Sequence, residues 1–174
     1  MRALSTLVDR TDGVLGLFER LFLALANLCL GVMLVANMLN IASRALFDKG
    51  IVYVFPWSVV LFVWMTFFGF FVVYRRGKDI TVDFLIDRIG ARARLVSRLV
   101  VDVLVIGLML VMLVQAPHII RSQVGTIEMV GLERYSMSIP LFVTAVLIAL
   151  DFSLDLIKAL LGWPERAHEP VGDI

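Results

Sequence analysis

Four long apolar runs separated by charged segments constrain this chain more than any other feature. A hydrocarbon core about 30 Å thick is crossed by about 20 helical residues. Apolar stretches of that order occur at 17–41, 57–74, 95–115 and 139–161. An unpaired backbone amide in lipid costs several kcal/mol, so runs of this kind are expected to fold as helices that satisfy their own hydrogen bonds. Composition agrees: 60% of the residues are hydrophobic and mean hydropathy is +0.94, against about 45–50% apolar residues in a soluble domain. The expected fold is all-α, a single transmembrane domain of four helices over residues 1–174.

The net charge of +1 says little in sum, so the position of the charges matters more. Basic residues concentrate between the second and third runs, at Arg75, Arg76, Lys78, Arg88, Arg92, Arg94 and Arg98. Lys and Arg are retained on the cytoplasmic side, which places this loop and both termini in the cytoplasm. Within the loop, Ile80, Val82, Phe84, Leu85 and Ile89 alternate with Asp79, Asp83, Asp87 and Arg88, the pattern of a short interfacial helix. Ahead of the first run, Leu4, Leu7, Val8, Leu15 and Phe18 suggest an amphipathic lead-in at the membrane surface, or a frayed tail, since Gly13 and Gly16 weaken a helix. The first run is too long, and lies too far from the amino terminus, for a cleaved signal, so the terminus is expected to be retained. The outward segment near 125–132 carries Ile127, Met129, Val130 and Leu132, too apolar for a solvated linker, and is expected to pack on this chain or on a partner.

Polar residues inside the runs are the candidates for chemistry, because lipid penalises them. Asn27, Asn37 and Asn40 suit hydrogen bonding between helices. Arg44 sits where it can reach the headgroups. Asp151 and Asp155, four residues apart, share one helix face. They suit either a cation or proton site or pairing with Arg or Lys at the inner interface. The second reading is preferred, because the runs offer no second cluster of intramembrane carboxylates apart from Asp102, which lies near Arg98. Gly31, Gly69 and Gly107 are expected to allow close helix approach, and Trp57, Trp64 and Tyr74 to serve as interfacial or packing aromatics. Cys29 lies inside the first run as a buried thiol. His118 and His168 lie outside the apolar cores, which leaves haem without axial ligands. There is no phosphate loop, metal-ligand spacing or nucleophile with a base, so no catalytic, cofactor or metal site is expected.

The middle third carries a resemblance. Arg44-Ala45-Leu46-Phe47 closes the first run, Pro56-Trp57 opens the second, Phe62-Val63-Trp64 and Phe68-Gly69 lie within it, and Gly77-Lys78-Asp79-Ile80-Thr81-Val82-Asp83 follows it. With Ser138-Ile139-Pro140 opening the last run, this pattern resembles the small, DctQ-like membrane subunit of tripartite ATP-independent periplasmic (TRAP) transporters. It departs from that family at Ser58-Val59-Val60, where acidic residues are common, and at Asp79, where His is common. The resemblance implies a non-enzymatic scaffold in the bacterial inner membrane that braces a large multispanning permease subunit and helps dock a periplasmic substrate-binding protein. Sodium-coupled organic-acid uptake would then belong to the large subunit, and nucleic acid has no part. Candidate interface or structural residues are Arg44, Trp57, Trp64, Gly69, Asp83, Pro140, Asp151 and Asp155. The alternatives are a self-sufficient homo-oligomeric transporter, disfavoured because the first run holds no carboxylate beyond Glu19, and a cofactor-free membrane anchor of another complex.

Overall fold

A computed structural model describes residues 2–77 and 91–161. Among them are four α-helices: α1 (Arg2–Phe47), α2 (Val54–Gly77), α3 (Ala91–Ser122) and α4 (Ile139–Leu160), with a single 3-10 turn, Arg134–Met137, leading into α4. Each α-helix contains a stretch long and apolar enough to cross a membrane. The expected interfacial helix between the second and third spans, and Asp83 with it, lie outside the described residues.

The helices form two antiparallel hairpins. α1 packs on α2 and α3 on α4, and contacts between α2 and α4 join the pairs. α4 is the most enclosed helix: 44% of its apolar stretch is buried by protein, against 6% for α3. The core lies where α1, α2 and α4 meet, around Leu15, Phe22, Phe71, Ile148 and Phe152. Lipid tails are as apolar as these side chains, so the core gains from dispersion and shape rather than from exclusion of water. Phe22 stacks tilted on Phe68 at 4.9 Å and meets Phe71 edge-on at 5.6 Å. Tyr74 lies 5.1 Å from Phe152, which ties α2 to α4.

Two boundaries differ from the sequence reading. The lead-in is neither a separate surface helix nor a frayed tail: α1 runs unbroken for 46 residues, about 70 Å and more than twice the hydrocarbon thickness. Gly13 and Gly16 each cost about 1 kcal/mol relative to Ala, but Val8 and Leu15 are buried in the core on either side of Gly13, and packing overrides propensity. α3 continues past 115 to Ser122 with Pro117 inside it, so the following loop is shorter than expected. α4 opens with Pro140 in its first turn, where a missing N–H costs nothing, and Pro140 is buried.

Candidate functional site

Polar side chains gather at the two ends of the bundle. At the end where α2 finishes and α4 runs out, the Arg75 guanidinium is 6% exposed and lies between three carboxylates. Nη2 donates to Asp12 Oδ1 at 2.9 Å, Nε faces Glu19 Oε2 at 3.2 Å, and Nη1 lies 3.6 Å from Asp151 Oδ1. Asp12 and Glu19 are two helical turns apart on one face of α1, so a single planar fork reaches both. Around this centre, Arg76 Nε donates to Glu19 Oε1 at 2.8 Å and Lys158 Nζ donates to Asp12 Oδ2 at 3.1 Å. Asp151 and Lys158, seven residues apart on α4, bring that helix in at two levels.

The outcome is a clasp in which Asp12, Glu19 and Asp151 balance Arg75, Arg76 and Lys158 and lock α1, α2 and α4 together. Asp151 is fully buried and Asp155, one turn on, is 8% exposed. On α3, Asp102 is buried at 2% exposure. Among the described residues no group of three or more His, Cys, Asp or Glu side chains could hold a metal ion.

The opposite end carries the two turns. α1 stops at Phe47 because Asp48 adopts a left-handed backbone (φ 53°) while its N–H still donates to Arg44 O at 3.1 Å. Ser43 Oγ donates to Lys49 O at 2.7 Å, and Asn40 Oδ1 accepts from the Ile51 N–H at 2.7 Å. Arg44 folds back over Gly50, where a Cβ would lie 2.6 Å from Nε and the arginine side chain would have to shift. Asn37 Nδ2 donates both to Met33 O at 2.8 Å and to Ser58 Oγ at 3.0 Å, which bonds α1 to α2.

The second turn is equally fixed. Ile127 N–H donates to Leu132 O at 2.8 Å and Arg134 N–H to Gly125 O at 2.9 Å, closing a tight loop through Gly125 (φ 104°), Met129 (φ 66°) and Gly131 (φ 75°). Trp64 Nε1 donates to Ser136 O at 3.2 Å and Ser138 Oγ to Gln123 Oε1 at 2.9 Å, which hold this loop to α2 and α3. Met129 reaches the first turn, and an open groove of about 610 Å³ lies among Asn40, Arg44, Asp48, Phe55 and Met129.

The sequence candidates therefore do not form one site. Arg44 and Trp64 are at the turn end, with Trp57 exposed and Pro140 buried there, while Asp151 and Asp155 are at the clasp end. Among the described residues Gly69 is not a point of close approach: a Cβ there, or at Gly31 or Gly107, would meet nothing within 4 Å. Sequence reasoning missed Asp12, Glu19 and Arg75 as one cluster. The signal was available in the two-turn spacing of the acids on α1, which matches the spacing of Asp151 and Lys158 on α4.

A bundle of four helices, each long and apolar enough to cross a membrane, with buried ion pairs between them, is a membrane protein. Residues 33–162 match the family described as "Tripartite ATP-independent periplasmic transporters, DctQ component". The match covers well over half of the chain, which belongs to that family and is a transporter component rather than an enzyme. Comparisons with curated proteins and with solved structures give no match.

Arg75→Met should lower unfolding stability in detergent by about 3–5 kcal/mol, because it removes the buried guanidinium that faces Asp12, Glu19 and Asp151. A double variant that also carries Asp151→Leu should recover much of the loss. Equal stability of the single and double variants in thermal or denaturant unfolding would show that the clasp does not bind α2 to α4.

Proposed function

We propose that this chain is the scaffold subunit of a TRAP transporter in the bacterial inner membrane. Its helices brace the large permease subunit, and its turn end faces the periplasm, where it helps dock the substrate-binding protein. The permease carries the sodium and organic-acid sites. Both termini and the basic loop after α2 lie in the cytoplasm, supported by the concentration of Arg and Lys from Arg75 to Arg98. Trp57, exposed at the turn end, and Arg44 beside the groove belong to the docking side.

The observation that carries this reading is the state of Asp151. An ion-coupling carboxylate needs a path for its ion and freedom to change partner. Asp151 is instead fully enclosed, with the Arg75 guanidinium 3.6 Å away and held by two further acids. Family membership supplies the rest, since a tripartite transporter implies a permease and a binding protein as partners. Asp83, outside the described residues, is assigned to the cytoplasmic connection on sequence grounds alone.

Two outcomes follow. Asp151→Asn should reduce the amount of assembled transporter while leaving the sodium dependence of uptake, per assembled complex, unchanged. A shifted sodium dependence at normal assembly would move ion coupling into this subunit. In a Cys29→Ala background, Val124→Cys should react with a membrane-impermeant maleimide added to the periplasmic side, and Leu161→Cys only after lysis; the reverse pattern would invert the orientation.

A further inference from the structure

α1 uses one face on its neighbours. Phe22, Ala26 and Cys29 are buried along it, and Asn37 extends it with the bond to Ser58. On the opposite side Ala24, Asn27, Gly31, Val35 and Met38 recur every three or four residues, and all five are exposed. Several polar side chains in the spans are hydrogen-bonded within the chain, and Asn27 is not among them. Asn37 has two acceptors, Asn40 accepts from Ile51, Thr66 Oγ1 donates to Phe62 O and Ser153 Oγ to Ala149 O. Among the described residues Asn27 has no hydrogen-bonding partner, and its amide points out of the fold.

Its depth makes that costly. Asn27 lies two helical turns from Glu19, about 12 Å along the axis, and between the levels of the Phe22–Phe68 and Asn37–Ser58 contacts. That is the hydrocarbon region, where an unsatisfied polar group costs several kcal/mol. Gly31, one turn further on the same face, opens a notch: a Cβ there would touch nothing among the described residues. An amide beside a small residue is how one membrane helix seats another, with close backbone approach and a bond across the contact. The exposed face of α3 includes Gly107 but no polar side chain between Asp102 and Gln115, so lipid alone can cover it.

We propose that the Ala24–Met38 face of α1 is the seat of a transmembrane helix of the large permease subunit, which offers a polar side chain or a carbonyl to the Asn27 amide. This rests on the scaffold reading above and specifies its contact.

The test uses the complete transporter in its native membrane, with a photoreactive residue placed at Val35 or Met38 on α1, or at Leu104 or Val111 on α3. Adducts with the permease from the α1 positions, and none from α3, are expected. If the permease co-purifies but adducts form only from α3, the contact is misplaced while the scaffold reading stands. An adduct of twice this chain's mass from α1 would give the face to a second copy and overturn the proposal. Failure to recover any permease would sink both readings. Gly31→Leu provides an independent measurement, since it fills space that is empty in the isolated fold. It should cut permease recovery at least several-fold without changing the subunit's own unfolding curve, and unchanged recovery would contradict the seat.

Discussion

A polar group in hydrocarbon needs a partner, and the contacts that join the helices of this bundle follow from that rule. Asn37 reaches Ser58, Thr144 Oγ1 donates to Phe67 O across the α2–α4 contact, and Trp64 holds the second turn through Ser136. None of these bonds is strong alone. They matter because few conformations satisfy them all at once, so they select one register among the many that smooth apolar helices would allow.

The clasp applies the same rule to charge. Ion pairs taken out of water gain little net stability over well-packed apolar side chains, but removing one partner is severe. Arg75 therefore specifies the arrangement more than it strengthens it: α1 must present Asp12 and Glu19, and α4 must present Asp151, or a buried guanidinium is stranded. Asp12 and Glu19 precede the family-matched residues, which start at 33, whereas Arg75, Asp151 and Lys158 fall within them. The clasp thus joins the amino-terminal part of α1 to the family-defining part of the chain, and it turns a 46-residue helix into an element anchored on both neighbours.

The four spans could be read from the sequence because hydropathy over 20 residues is a strong signal and lipid leaves few alternatives to the helix. What could not be read depends on tertiary contact. Gly13 and Gly16 argue locally for a break in α1, yet burial of Val8 and Leu15 carries the helix through. Pro117 suggests an end to α3, yet the helix continues to Ser122. Asp151 could be placed on a face with Asp155, but its pairing with Arg75 needed the relative position of α2 and α4. Nor could the left-handed backbone at Met129 have been inferred, since only the closed hydrogen bonds of that loop impose it. The glycines misled in the opposite direction, because helical spacing says that space exists beside Gly31 and Gly69 but not which molecule fills it.

In the scaffold reading this chain works as a part of a larger membrane assembly, with its own charges given to its architecture. Isolation of the tagged chain from its native membrane in mild detergent, with mass spectrometry of whatever accompanies it, tests this most directly. The account predicts stoichiometric recovery of a much larger multispanning protein. Recovery of this chain alone, as a defined oligomer that moves an ion or an organic acid when reconstituted, would contradict it.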